Sequence, residues 1–311
     1  MARVLFVQTA DAVKYRSMIE VTSQTIREFC TKSGCDYMSF IGIKRGFHPW
    51  QAAYNRIVIL MEILNSGFDG WVGYVDADAF IVNLNFDIFS YLNPKSDKSI
   101  IIPRSRVNDD LYWEINDGIF FINFSNQTSA KIVKNWYEEF MAISDRDLER
   151  CEDWVGIEND QDLLQKVLMN NPEFAAYVEH DNVNIYGADS KFIRQILRVD
   201  APTYQQRLRI IESLAFAVLE RDGQGESVIT HGGLARQAFD QACITALYEV
   251  LLLRKADDFG LAENLKSFIN SGRDLPRIMK SFIKSDEFKA NFSNFCEVYN
   301  IDNPHSLTER G

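Results

Sequence analysis

The chain has 311 residues with 46% hydrophobic and 13% aromatic content, enough for one large core or two domains. It carries 44 Asp and Glu against 33 Lys and Arg, a formal net charge of −11, which excludes nucleic-acid binding through a basic surface. The five cysteines (Cys30, Cys35, Cys151, Cys243 and Cys296) form no CxxC pair and no zinc spacing, and their odd number argues against a disulfide framework and for a reducing cytoplasm.

Val4 to Gln8 reads as a first strand, which leaves no room for a signal peptide. No apolar run reaches membrane-spanning length, so only peripheral membrane association stays open. Thr9-Ala10-Asp11 is the loop at the C-terminal end of that strand. Met18 to Lys32 follows with helical spacing at Met18, Ile19, Ile26 and Phe29, and Gly34 stops it. Tyr37 to Ile43 is a second strand. Pro49 opens a helix as a first-turn proline, with Ile57, Leu60, Met61 and Leu64 as its apolar stripe.

Next comes Trp71-Val72-Gly73-Tyr74-Val75-Asp76-Ala77-Asp78, a nearly uncharged run that ends in two acids. A continuous apolar strand suits a parallel sheet covered on both faces, and the strand–helix alternation up to this point implies right-handed crossovers. In extended backbone, residues two apart project to the same side, so Asp76 and Asp78 would present their carboxylates together. Such a pair repels itself unless a cation joins it, and hard oxygen ligands suit Mg²⁺ or Mn²⁺. The C-terminal end of a strand in a doubly wound sheet is also where ligands bind. Read alone, Asp-x-Asp is more often only a solvated loop start.

Beyond Asp78 the pattern predicts an amphipathic turn over Leu84 to Leu92 and strands at Ser99 to Pro103 and Gly118 to Asn123. Helices are predicted over Ala130 to Met141 and Asp160 to Met169, and short strands over Ala176 to Glu179 and Val183 to Tyr186. Lys191 to Glu220 reads as two helices around Ala201-Pro202, and Ser227 to His231 as a last strand ending in histidine. From about Leu234 the character is helical throughout, with Gly260, Gly272 and Pro276 as punctuation. The expected organisation is a catalytic domain over 1–233, with a helical insertion over 188–225, and a helical domain over 234–311.

Several of these stretches occur together, in order, in a known family. Tyr54-Asn55-Arg56 precedes the acidic strand, and Asn116-Asp117-Gly118-Ile119-Phe120-Phe121-Ile122 follows it. Trp136, Asn159-Asp160-Gln161 and Thr230-His231-Gly232-Gly233 complete the series. In this the chain resembles glycosyltransferases of the GT-A fold, an α/β Rossmann-like, doubly wound and mostly parallel sheet. It is most similar to the yeast galactosyl- and mannosyltransferases and plant xyloglucan xylosyltransferases. The likeness runs over about residues 3 to 235, without a counterpart for 188–225. It departs at Asp117, where that family has a small hydroxyl residue. The tail resembles a small bacterial helical domain of unknown function, through Ala246-Leu247-Tyr248, Leu252, Arg254, Ala256-Asp257, Gly260-Leu261, Gly272, Phe282 and Ser285-Asp286-Glu287-Phe288.

The resemblance implies a UDP- or GDP-sugar donor and a saccharide or lipid-linked acceptor. It implies a Mn²⁺ or Mg²⁺ site made by Asp76, Asp78 and His231, the imidazole favouring Mn²⁺. Gln8, Thr9 and Ala10 lie at the loop where base and ribose belong, with Tyr15 placed to stack on the base and Ala77 between the acids. Arg56 suits the diphosphate or Asp76. Asn116, Asp117, Asp160 and Gln161 are expected around the transferred sugar and acceptor. Asp117 or Asp160 would serve as general base in an inverting reaction, whereas the family is retaining, the leaving phosphate taking the proton. Asp160 also reads as a helix N-cap, and Trp50 as packing. Two competing readings are a sugar nucleotidyltransferase, disfavoured by the absence of glycine from Gln8 to Asp11, and a non-catalytic carbohydrate-binding scaffold, disfavoured by the intact acids. Oligomeric state stays open.

Overall fold

The computed structural model describes residues 3–105, 111–222, 240–241, 244–270 and 275–298. The chain divides into two compact units, Met1–Gly225 and Glu226–Gly311. The predicted strand ending at His231 and the boundary near Gly233 lie outside the described residues.

The first unit is built in the order expected of an α/β, Rossmann-like chain. Strand β1 (Val4–Ala10) leads to α1 (Arg16–Ser33) and β2 (Asp36–Ile41). A 3₁₀ turn (Pro49–Tyr54) runs into α2 (Asn55–Asn65), and β3 (Trp71–Asp76) follows. Gly34 closes α1 in the left-handed region, φ 69°, which a glycine adopts without steric cost. The proline-led start is thus tighter than the predicted α-helix, and the Gln51 side chain fixes it by accepting from the N–H groups of Phe47 and His48.

After β3 come β4 (Ala79–Ile81), α3 (Ile88–Leu92), β5 (Ile100–Ile102), β6 (Ile119–Asn123), α4 (Gln127–Ala142), α5 (Asp145–Arg150), α6 (Asp160–Asn170) and β7 (Val178–His180). The main sheet has the order β2-β1-β3-β6-β5-β7 among the described residues. All its ladders are parallel except those of β6, which runs against both neighbours. That reversal matters, because it brings the start of β6 beside the end of β3: Val75 faces Ile119, and the Asp76 N–H donates to the Gly118 carbonyl at 2.8 Å.

Alternation along β3 divides the core. Val72 and Tyr74 pack with α2, α4 and α6 through Ile57, Leu60, Trp136, Phe140 and Leu164. Trp71 and Val75 face the other way, with Phe6, Phe29 and Phe121. Gly73 makes room there, since a Cβ on it would lie 2.7 Å from the Phe121 ring. Burial of so many large apolar groups on both faces is what makes the central strands read as unbroken hydrophobic runs.

Two predicted elements differ. Val183 to Tyr186 is a turn, because the Asp181 carboxylate takes the N–H groups of Val183 and Asn184 and removes them from any ladder. Lys191 to Glu220 holds one strand and one helix, not two helices. Here β8 (Ile193–Gln195) pairs antiparallel with β4, and α7 (Tyr204–Asp222) starts after Pro202 with Thr203 and Gln206 capping reciprocally. Tertiary pairing overrides the local helical pattern over Ile193 to Gln195.

The regular structure described in the second unit is helical: residues 240–241 and 244–251, α8 (Asp258–Asn270), α9 (Leu275–Lys284) and α10 (Asp286–Val298). Its core is Ile244, Leu247, Tyr248, Leu252, Phe268, Ile278 and Phe282. No helix among the described residues is long and apolar enough to cross a membrane.

Candidate active site

Strand β3 ends at Asp76, and Ala77-Asp78 is a turn, so the two acids do not project together through extended backbone. They converge on one group instead. Gln195 Nε2 donates to Asp76 Oδ2 at 3.1 Å and to Asp78 Oδ1 at 3.0 Å. The remaining oxygens face guanidiniums: Arg56 Nη2 lies 2.6 Å from Asp76 Oδ1, and Arg207 Nη1 lies 2.8 Å from Asp78 Oδ2.

Arg56 rises from the first turn of α2 and is 5% exposed. Besides Asp76, it holds Asp117 Oδ1 through Nη1 at 2.9 Å and Asp160 Oδ2 through Nε at 3.0 Å. It also donates to the Asp117 carbonyl and lies over the Tyr74 ring, 4.5 Å from its centroid. The helix N-cap is Asn159, which forms a capping box with Asp162. Asp160 is therefore the first helical residue, not the cap, and its carboxylate is left for Arg56. The 3₁₀ turn sets this up, since Gln51, Trp50 and Tyr54 donate to the carbonyls of Leu148, Cys151 and Glu158 and so anchor the approach to α6.

Four carboxylates therefore share two guanidiniums, and full ionisation leaves two negative charges unbalanced. Burial pushes the Asp76 carboxyl up to about 7 against the pull of Arg56, with Asp78 and Asp160 adding to the rise. Burial also raises Asp78, opposed by Gln195 and Arg207, and holds Asp117 well above the usual carboxylate range. Among the described residues, two buried acceptors of the cluster have no hydrogen-bond partner, Asp117 Oδ2 and Gln195 Oε1. A divalent cation is the group that this donor set fits: hard oxygens, a charge deficit of two and an orphaned buried carbonyl beside the acids. No group of three or more His, Cys, Asp or Glu side chains stands ready for a metal among the described residues, and His231 lies outside them.

The other predicted residues take distinct places. Gln8 is buried and committed to Thr22 Oγ1 and the Asp76 carbonyl, each at 3.2 Å, and to Tyr37. Thr9 shares a hydrogen bond of 2.7 Å with the Tyr74 hydroxyl, beneath Arg56. Ala10 and Ala77 are buried, and the Ala77 carbonyl accepts from Thr22. Tyr15 precedes α1, and its hydroxyl accepts from Arg207 Nη2 at 2.8 Å. Asn116 folds back on the Gly118 N–H, and the Gln161 carbonyl oxygen lies 3.4 Å from the Asp117 N–H. Asp76, Asp78, Arg56, Asp117, Asp160 and Gln161 are thus brought together. Gln8 and Thr9 act from below as supports, and Tyr15 reaches the acids only through Arg207.

Gln195 and Arg207 were not among the predicted site residues, since both come from the stretch without a counterpart in the family pattern. One signal was present. Arg207, Ile211 and Ala215 repeat at a spacing of four and are all buried, so the arginine sits on the apolar stripe of α7. An arginine in that position needs a buried acid.

No family model and no curated protein matches the chain. Solved structures do. A glycosyltransferase involved in glycosylation of the major capsid of PBCV-1 is 13% identical with a TM-score of 0.49, covering 68% of this chain and 99% of its own. The apo-form glycosyltransferase GlyE of Streptococcus pneumoniae TIGR4 is 15% identical with a TM-score of 0.34, covering 58% of this chain and 46% of its own. A mutant Drosophila beta-1,4-galactosyltransferase 7, in complex with manganese, UDP-Gal and xylobiose, is 11% identical with a TM-score of 0.36, covering 63% of this chain and 72% of its own.

Proposed function

We propose that this chain is a metal-dependent glycosyltransferase of GT-A type. It moves a hexose or pentose from a nucleoside-diphosphate sugar to a saccharide or lipid-linked acceptor, with retention at the sugar carbon. The observation that carries this reading is the buried acid cluster at the C-terminal end of β3, whose two excess negative charges call for a divalent cation. The closer resemblance to the yeast and plant transferases belongs to the same proposal. So do catalysis within 1–233, a helical module over 234–311 and a cytoplasmic setting.

Bound Mn²⁺ or Mg²⁺ would neutralise the charge that develops on the departing diphosphate. Asp76 and Asp78 would hold it, with His231 as the ligand supplied from further along the chain. Arg56 is buried and paired with three carboxylates, so its part is to orient Asp76, Asp117 and Asp160 rather than to reach a phosphate. Burial holds the Asp117 carboxyl well above the usual carboxylate range against the pull of Arg56, with Asp160 and Asp76 adding to the rise.

Donor hydrolysis with Mn²⁺, read over a panel of UDP- and GDP-linked glucose, galactose, mannose and xylose, tests the reading. Turnover of at least one donor, abolished by EDTA and restored by Mn²⁺, is expected. Neither turnover nor binding of any donor would overturn it.

A further inference from the structure

Gln195 is held in a place that its present hydrogen bonds do not fully explain. The residue is 5% exposed, and its NH₂ group lies between two carboxylate oxygens, 3.1 Å from Asp76 and 3.0 Å from Asp78. Among the described residues its buried carbonyl oxygen has no hydrogen-bond partner. A buried amide oxygen left unsatisfied is costly, so an amide kept only to cap the acids would be a poor choice.

The surroundings are shaped for that amide. A Cβ on Gly118 would lie 2.5 Å from Gln195 Oε1, 2.6 Å from Nε2 and 2.9 Å from Cδ, so glycine in the Asn-Asp-Gly stretch is what gives the amide its space. The β4–β8 ladder sets the register, opposing Gln195 to Ala79, the residue after Asp78. The Ile196 N–H closes on the Asp78 carbonyl at 3.3 Å. Backbone pairing, the glycine cradle and both acids therefore fix one end of the same side chain.

A half-turn about the Cγ–Cδ bond exchanges the amide's nitrogen and oxygen without moving the rest of the chain. The NH₂ then occupies the position where the oxygen is now orphaned, and the oxygen faces both carboxylates. Three oxygens so placed repel one another until a cation sits among them, and together they make the hard ligand set that Mn²⁺ or Mg²⁺ takes. We infer that Gln195 is a metal ligand through its carbonyl oxygen, with its NH₂ standing in for the cation in the metal-free protein. This inference rests on the metal-dependent reading above.

Mn²⁺ binding to the full chain without donor, followed by calorimetry and by loss of the free-ion EPR signal, separates the two. Asp78→Asn sets the baseline for a lost ligand. Gln195→Met keeps the side-chain length but removes the oxygen, and should weaken Mn²⁺ binding by at least about tenfold, the range seen when groups around a bound metal are lost. Gln195→Glu keeps an oxygen and removes the NH₂, and should bind Mn²⁺ at least as tightly as the wild type while lowering the urea midpoint of the metal-free protein. If Gln195→Met binds like the wild type, or Gln195→Glu loses Mn²⁺ as Gln195→Met does, the assignment of Gln195 falls and the metal site stands. If the wild type and Asp78→Asn both bind no Mn²⁺, the metal-dependent reading falls with it.

Discussion

Two arginines in this chain each gather acidic side chains, in opposite surroundings. Arg56 is 5% exposed and binds Asp76, Asp117 and Asp160, with Asp117 and Asp160 each less than 10% exposed. Arg254, in the helical unit, is 40% exposed and binds Asp257 and Glu287, exposed by 58% and 41%. Arg254 lies over Tyr248, whose hydroxyl accepts from Asn264, and it ties the stretch ahead of α8 to α10. Its hydrogen bonds to Glu287 and Asp257 are what raise it above the ordinary arginine range. Around Arg56 the balance is different, because burial raises Asp76 and Asp117 and one guanidinium cannot neutralise three acids. Water screens the cluster around Arg254 and makes it cheap to keep; the cluster around Arg56 is costly unless a further ligand completes it. The residues around Arg254 are accounted for by structure, whereas those around Arg56 point outward to chemistry.

The strongest way to break this comparison is Arg56→Met. Removing the guanidinium leaves two buried carboxylates and the half-buried Asp76 facing one another, and loss of one partner from such a cluster costs about 3–5 kcal/mol. The urea midpoint should fall accordingly and donor turnover should vanish. A variant as stable as the wild type would mean that the cluster is solvated in a way that the burial of Asp117 and Asp160 contradicts.

Asp78→Asn comes next. It removes one charged metal oxygen while its partner Arg207 remains, so turnover should drop by about 100-fold or more, the scale of losing one electrostatic contact to the transition state. Stability should fall as well, since the buried Arg207 guanidinium is left without the carboxylate that it faces. Gly118→Ala should follow, costing about 1–3 kcal/mol through overpacking, because its Cβ would enter the space of the Gln195 amide. An equal loss on replacing Gly67, whose Cβ position is open but whose φ is 73°, would mean that backbone strain rather than the amide cradle sets the cost.

Much of the frame around these residues was legible in the sequence. The strand–helix alternation from Val4 to Asp76 is written in local periodicity, and local periodicity survives folding. The pair Asp76 and Asp78 was legible because charge at the end of an apolar strand stands out. Their partners were not. Gln195 reaches them through a three-residue strand that pairs with another three-residue strand, too short for any periodic signal. Arg207 reaches them from a helix that packs on α1 and β4, elements far away in sequence. Asp160 was legible as a residue but not in its role, because Asn159 and Asp160 compete for the cap and only the capping box with Asp162 decides between them.

A smaller effect separates the two clusters by pH. In the folded, metal-free protein the Asp76 carboxyl is pushed up to about 7, from an ordinary value of 3.8. Between those values the folded state binds the proton more readily than the unfolded chain does. Stability from this group is therefore fully present below that window and is lost as pH rises through about 7. Asp78 and Asp117 shift in the same direction. Urea midpoints of the first unit's transition should accordingly fall from pH 5 to pH 8 in EDTA. With saturating Mn²⁺ the fall should flatten or reverse, since the ionised form is then the one that is bound. A midpoint that rises with pH in EDTA would show that the acids are satisfied without metal.

The least effect is expected at Arg254→Met. The glutamate and aspartate left behind are open to water, so nothing buried is stranded, and Met retains contact with the Tyr248 ring through its own stem. The melting temperature should stay within measurement error of the wild type at 150 mM salt, and donor turnover should be unchanged. The steric neighbour of that arginine is the sharper probe: a Cβ on Gly260 would lie 2.3 Å from the Tyr248 hydroxyl, so Gly260→Ala should destabilise the helical unit where Arg254→Met does not. If Arg254→Met proves as damaging as Arg56→Met, exposure does not distinguish the two clusters, and charge deficit alone would have to explain why one of them sits at the end of β3.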